Sequence, residues 1–384
     1  MKKLLVMLCV AGLLTGCAVS GEKKTDQKDQ KPAAEEQKEP VAEEKPNETE
    51  GKDGKEADSK GYREHFRIEA DGIDYLSVDD IQIPERSAIV MIGKDSGSGF
   101  WKRVKAGAEQ AVADLNSALG YTGDAKVKLT YDAPSGEDVS EQIDIIDQML
   151  DKNPDAMIIG FVDVNSGKTQ LELAEANGVP VLAVDSSIEN SLIVSSVQTD
   201  NYAAGAEAAR KICEEIGDAG QIALLVHSSE TETGIERVKG FTEEIEANHP
   251  DVEIVSTVYR NQDERSVADI VAAVRAEYPE LKAYFGTNDT VMKDLISALS
   301  VNGSEEDTLV VAGFDASARQ IDAVKNGKEA GVMAQDPFGM GYAAAVSAFR
   351  SVADLDNAQT IHTGYYWITS GDLEDPKTDM LTYK

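Results

Sequence analysis

The sequence is short of cations, histidine, cysteine and aromatic residues. Lysine and arginine total 37 against 70 aspartate and glutamate residues, a formal net charge of −33. A surface this acidic repels phosphate backbones, which excludes nucleic acid as a partner. Histidine occurs four times with no close pair, so no metal site is expected, and no cofactor either. Beyond the leader, cysteine is confined to Cys17 and Cys213, too few for a disulfide framework. Cys213 shares a helical pattern with Ala208, Ala209 and Ile212 and reads as a small core residue. The apolar run at the start, residues 4–14, is too short to span a bilayer.

Several enzyme signatures are also missing. Ser166-Gly167-Lys168-Thr169 lies between a strand and a helix, but Val162 stands where a phosphate loop needs its first glycine. Gly97-Ser98-Gly99 opens a dinucleotide fingerprint that Lys102 breaks. Neither Ser96 nor Ser98 sits in a Gly-x-Ser-x-Gly elbow. The chain is therefore not expected to be an enzyme.

What is present begins with an export leader. Two lysines, a short apolar core and Leu14-Thr15-Gly16-Cys17 make a secretory signal over residues 1–17 that resembles a bacterial lipobox. Acyl chains on Cys17 would hold the protein on the outer face of the cytoplasmic membrane, facing the periplasm or cell surface, without spanning it. Residues 18–60 carry nine lysines, thirteen acidic residues and almost no apolar side chains, the composition of a disordered tether. Residues 61–84 form an extension of uncertain role, apolar enough to pack through Tyr62, Phe66, Ile68, Ile73, Tyr75 and Leu76.

In the remaining chain, apolar runs alternate with helical periodicity. Strands are predicted at 89–92, 127–131, 156–161, 181–184 and 193–197, with helices at 100–119, 137–150, 167–177 and 202–216. The series then repeats. Strands follow at 222–226, 254–259, 283–286, 309–314 and 331–334, with helices at 234–247, 266–277, 290–299 and 316–325. Alternation of this kind predicts an α/β fold of two similar, doubly wound parallel-sheet lobes joined by a hinge. The expected amino-terminal lobe is 85–200 plus 336–362, and the carboxy-terminal lobe is 201–335 plus 363–384.

Polar residues stand at the end of each apolar run. Lys94, Asp95 and Ser96 follow the first, then Asp163, then Asp185 and Ser186, then Gln198 and Asp200. In the second series His227 and Ser228, Asn288 and Asp289, Asp315, and Gln335 and Asp336 take such places. In a parallel sheet these residues share one edge and face a crevice. Each alone could equally cap a helix. Together with the adjacent Phe100 and Trp101 they suit a polyhydroxy ligand: amides and carboxylates bond hydroxyls, and a flat ring covers a C–H face. Acidic residues outnumber Arg237 and Lys94 there, which disfavours an anionic ligand. Trp101 could instead belong to its helix core, and Arg237 could be a solvated residue on the helix bearing Val238 and Phe241.

Asn288-Asp289, Gly313-Phe314-Asp315, Gln335 and Thr199-Asp200-Asn201-Tyr202-Ala203-Ala204-Gly205 resemble, over residues 86–370, the ribose-binding family of type I periplasmic solute receptors. The resemblance implies a hinge-closing receptor that passes a small sugar to the permease of an ABC importer. A monomer is expected. The resemblance also implies stacking by Phe100 and Trp101 and polar contacts from Asp185, Arg237, Asn288, Asp315 and Gln335, with Lys94 and Ser98 in the first loop. Two positions depart from the family. Ser186 replaces the arginine that often follows the aspartate, and the second-lobe aromatic gives way to Asn261-Gln262, which leaves Ser186 and Gln262 as candidate ligand contacts at those places. Both departures point to a pocket unlike that for ribose. A sensory receptor of the same fold, signalling to a membrane kinase, is the alternative.

Overall fold

A computed structural model describes residues 59–302 and 309–384. The leader over 1–17, Cys17 and all but the end of the tether lie outside the described residues. The described chain opens with α1 (Ser59–His65) and a ribbon of β1 (Glu69–Ala70) and β2 (Ile73–Asp74). The first lobe then runs β3 (Ala88–Ile92), α2 (Gly99–Leu119), β4 (Lys128–Asp132), α3 (Val139–Leu150), β5 (Ala156–Ile159), α4 (Lys168–Ala176), β6 (Val181–Val184) and β7 (Ile193–Gln198).

The second lobe repeats this order. It runs α5 (Asn201–Ile216), β8 (Gly220–Val226), α6 (Glu232–Asn248), β9 (Val252–Tyr259), α7 (Val267–Glu277), β10 (Leu281–Gly286), α8 (Asp289–Asn302), β11 (Val310–Phe314), α9 (Ala318–Lys325) and β12 (Gly331–Gln335). The chain returns to the first lobe for α10 (Pro337–Val352) and β13 (Thr360–His362), then crosses again for β14 (Tyr365–Ile368) and α11 (Pro376–Leu381). No helix among the described residues is long and apolar enough to cross a membrane.

The fold is the predicted pair of parallel sheets. One has the order β13-β7-β6-β5-β3-β4 and the other β14-β12-β11-β10-β8-β9. Every pairing in them is parallel except β12 with β14. The buried strands are continuous apolar runs such as Ile89–Ile92, because helices cover both faces. In each sheet the strand order reverses beside the first strand, between β3 and β5 and between β8 and β10. Loops part there at the carboxyl edge and leave a crevice.

The same packing device recurs in both lobes. A Cβ on Gly341 would lie 1.7 Å from the Val104 carbonyl oxygen, so α2 and α10 touch backbone to backbone. A Cβ on Gly205 would lie 2.3 Å from the Arg237 carbonyl oxygen, and α5 meets α6 in the same way. Overpacking at such a contact costs about 1–3 kcal/mol or displaces a helix.

α10 is not among the elements that periodicity predicts. All of Pro337–Phe349 is buried, so the helix has no polar stripe to betray a 3.6-residue repeat. Residues 61–84 pack into the first lobe's core through Tyr62, Phe66, Ile68, Tyr75 and Leu76. Tyr62 donates its phenol to Asp336 at a crossing between the lobes, and Phe66 meets Tyr366 edge-on, ring centroids 5.7 Å apart. The extension therefore braces the crossings.

Candidate functional site

A cavity of about 400 Å³ opens where the carboxyl edges of the two sheets face each other. The first lobe supplies Lys94, Asp95, Ser98, Phe100, Trp101, Gly136, Glu137 and Asp185 to its wall. The second supplies His227, Thr233, Arg237, Arg260, Asn288, Asp289, Thr290, Val291, Asp294, Asp315 and Gln335.

The first-lobe wall rests on β3 and β5. Buried Gln142, from α3, donates to Gly93 O at 3.0 Å and Gly160 O at 2.8 Å and accepts from Val162 N at 3.1 Å. That clamp ties the ends of the two paired strands together. Trp101 fills the space, because side chains at Gly93 or Gly160 would strike its indole. Phe100 meets Trp101 edge-on, centroids 5.8 Å apart at 81°. Both rings are buried and line the cavity. Ser98 is the N-cap of α2, its hydroxyl accepting from Trp101 N at 3.5 Å.

Asp185 and Asp315 occupy matching places after β6 and β11, both with left-handed backbone, φ 64° and 79°. Asp185 N donates to Val197 O and Asp315 N to Met333 O, each at 2.9 Å, so each turn is tied to the next strand. Lys94 Nζ lies 3.0 Å from Asp185 Oδ2 and 3.8 Å from Glu137 Oε1. Burial pulls the Lys94 ammonium down, but the two carboxylates outweigh it and its pKa ends above the ordinary value.

Asp315 accepts from Gln335 Nε2 at 2.5 Å and from Asp289 N at 2.9 Å. Gln335 Oε1 in turn accepts from Thr199 Oγ1 at 2.9 Å. Arg237 is 2% exposed. Its Nε donates to Asn201 Oδ1 at 2.9 Å and its Nη1 to Thr287 O at 2.6 Å, while the guanidinium lies 4.0 Å from the centroid of Phe314. Nη2 is buried without a partner among the described residues. Burial lowers the Arg237 pKa, opposed by Asp315 and Asp185. Asn288 caps α8, accepting from Val291 N at 3.0 Å.

Nine of the twelve ligand residues expected from sequence line this cavity: Lys94, Ser98, Phe100, Trp101, Asp185, Arg237, Asn288, Asp315 and Gln335. Three do not. Asp163 turns back to accept from Asn165 N in its own loop. Ser186 is buried behind the wall, its backbone bonded to Val184 and Phe161. Gln262 is exposed and donates to Ser229 Oγ at 2.7 Å; Arg260, two residues earlier, reaches the cavity instead. The expectation of Arg237 as a solvated helix residue is excluded by its burial.

Sequence reasoning missed Glu137, Thr233 and Arg260, and it placed His227 on the crevice edge without naming it as a single ligand contact. His227 shares its ring nitrogens with Thr287 at 2.7 Å, Thr231 at 3.0 Å and Thr233 at 3.1 Å. Burial, then Arg237 and Lys94, hold its pKa well below the ordinary value, so the ring is neutral. Three threonines scattered over 57 positions carry no local signature. Away from the cavity, Cys213, Asp218 and His249 have ligand atoms within 4.8 Å of one another. Burial pushes the Cys213 thiol up to about 12, so the metal-free thiol is protonated.

The wall holds six carboxylates against three cations, Lys94, Arg237 and Arg260. It offers acceptors to hydroxyls, a few donors and an aromatic face, which is the chemistry for a neutral polyol and against a phosphate.

Two parallel sheets thus face each other across a polar crevice. A family model described as periplasmic binding protein domain matches residues 89–354, and the chain belongs to that family. It is 26% identical to the ribose import binding protein of Bacillus subtilis over 200 residues, covering 52% of this chain and 64% of that protein. It is 26% identical to the D-apiose import binding protein of Actinobacillus succinogenes over 245 residues, covering 63% and 74%. The chain thus spans somewhat under two thirds of the Bacillus relative's length. Among solved structures, an ABC transporter solute-binding protein from Agrobacterium vitis bound with α-D-tagatopyranose aligns with a TM-score of 0.71 at 25% identity. That alignment covers 78% of this chain and 99% of the other.

One acidic group makes the site sensitive to pH. Burial, and then Asp315 beside it, push the Asp289 carboxyl up to about 7. An unfolded aspartate titrates near pH ~4, so the folded chain retains a proton that the unfolded chain has lost. The stability tied to that proton is full below pH ~4 and disappears as pH rises through about 7. Urea titrations of the unliganded protein should show stability falling more steeply over this window in wild type than in Asp289→Asn. Parallel slopes would contradict the assignment.

Proposed function

We propose that the chain is an extracytoplasmic solute receptor that encloses a small neutral sugar or sugar-like polyol between its lobes and delivers it to the permease of an ABC importer. The observation that carries this reading is the cavity wall: buried carboxylates from both lobes converge beside two aromatic rings and one guanidinium with a free donor. The names of the ribose, apiose and tagatose relatives point the same way. On this reading the protein binds without turnover and acts as a monomer.

Binding shifts the lobes toward a closed form. The bodies that move are 85–200 with 336–362 and 201–335 with 363–384. Bonds available to hold closure run from Val164 N to Glu230 O at 2.9 Å and from Ser187 N to the Glu232 carboxylate at 2.5 Å. Closure creates the surface that the permease recognises.

Lipidation of Cys17 and export belong to the same proposal. The tether of residues 18–60 gives the receptor reach from the membrane. Radiolabelled palmitate should enter the wild-type chain but not Cys17→Ala, which should appear in the soluble fraction; an unlabelled, soluble wild-type chain would overturn the anchor.

A thermal-shift screen tests the ligand class. At a hundredfold excess over Kd a neutral ligand should stabilise the fold by about 2.7 kcal/mol. D-ribose, D-arabinose, D-tagatose and xylitol are the first candidates, with the 5- and 6-phosphates of the sugars as counter-tests. Shifts from a neutral member and none from the phosphates are expected. Stabilisation by the phosphates alone would refute the reading.

A further inference from the structure

The last residues of the chain pack on Phe100, which lines the cavity. Tyr383 is backbone-paired with the second lobe: its N–H donates to Ala316 O at 3.3 Å and its carbonyl accepts from Ala318 N at 2.7 Å. Those residues follow directly on Asp315. Its ring, however, meets the first lobe. The centroid lies 5.9 Å from that of Phe100, at 77°, and a Cβ on Gly99 would come within 2.9 Å of the Tyr383 ring. Tyr383 is thus carried by one lobe and packed on the other.

Its side chain is buried, 5% exposed, and the hydroxyl oxygen has no hydrogen-bond partner among the described residues. A buried hydroxyl without a partner is destabilising unless something else satisfies it. Burial raises the phenol's pKa well above the ordinary value, and Asp315, Asp289 and Asp185 push it further while Arg237 opposes them. These four groups are all in the cavity wall, so the hydroxyl lies within electrostatic reach of the cleft. Arg237 Nη2, in the same region, is the other orphaned donor.

We propose that Tyr383 belongs to the ligand-binding site, its phenol hydrogen-bonding a ligand hydroxyl near Arg237 and Asp315 while its ring holds Phe100 against the ligand's C–H face. The inference rests on the polyol reading above and adds to it a contact that straddles both lobes. A ligand lacking a hydroxyl at that point would leave the phenol orphaned, so Tyr383 selects among sugars and reports occupancy to both lobes at once.

Tyr383→Phe removes only the hydroxyl and keeps the ring. Titration calorimetry with D-ribose, D-arabinose and D-tagatose should show about a tenfold weaker Kd for whichever sugar wild type binds. The unliganded melting temperature should be unchanged or higher, because an unsatisfied group has been deleted. Tyr383→Leu should weaken binding further by releasing Phe100. Equal affinity in wild type and Tyr383→Phe would overturn the proposal. So would a fall of several degrees in the unliganded Tyr383→Phe melt, which would reveal a partner already present. If wild type binds none of the three sugars, the same pair of variants is titrated with the neutral ligand that gives the largest thermal shift; stabilisation by the sugar phosphates alone would fail the polyol reading rather than the Tyr383 contact.

Discussion

Two aspartates in left-handed turns hold the site together. Asp185 and Asp315 end equivalent strands in the two lobes, with φ 64° and 79°. A non-glycine residue in that region costs roughly 1 kcal/mol. In each lobe the same backbone bond to the neighbouring strand locks the turn, Asp185 N to Val197 O and Asp315 N to Met333 O. The reversal puts a buried carboxylate at the rim of each sheet. Those charges then dictate their surroundings: Lys94 pairs with Asp185, while Gln335 and the Asp289 amide serve Asp315. A buried carboxylate without such partners would be expelled or neutralised.

The Asp315 network also reaches the hinge. Gln335 bonds Thr199, and Thr363 N donates to Gln198 O at 3.0 Å, so residues of all three crossings between the sheets are linked side by side. Tyr62 and Phe66 press on Asp336 and Tyr366 at two of those crossings. A ligand that engages Asp315 therefore pulls on a group bonded directly to the hinge. On the proposed reading this is a physical route from occupancy to closure that needs no long chain of contacts.

Much of this was legible in the sequence, for identifiable reasons. Strands buried on both faces are unbroken apolar runs, and β3, β6 and β11 stand out as such, each followed by its polar residue. Adjacent aromatics stand at Phe100-Trp101, Tyr284-Phe285 and Tyr365-Tyr366-Trp367, and the first pair is marked out by the small polar loop before it. The misses follow from physics as well. α10 is apolar on every side and so lacks periodicity. Asp163 obeys the same strand-then-acid pattern as Asp185, yet its carboxylate satisfies its own loop. No pattern separates a local cap from a ligand contact when both need the same oxygen. Arg237 stood out only through family position, because its burial depends on the approach of α5 at Gly205. Tyr383 lies far in sequence from every strand end and meets Phe100 only through tertiary packing.

The central claim is that Asp185 and Asp315 act as a matched pair on one ligand. Its most direct test is calorimetric titration of the sugar giving the largest thermal shift into wild type, Asp185→Asn, Asp315→Asn and the double variant. Losing one charge-assisted hydrogen bond should weaken binding by about ten- to a hundredfold in each single variant. Because both contacts serve the same closed state, the double variant should fall short of the sum of the two losses. Wild-type affinity in both single variants, with the fold intact, would contradict the account.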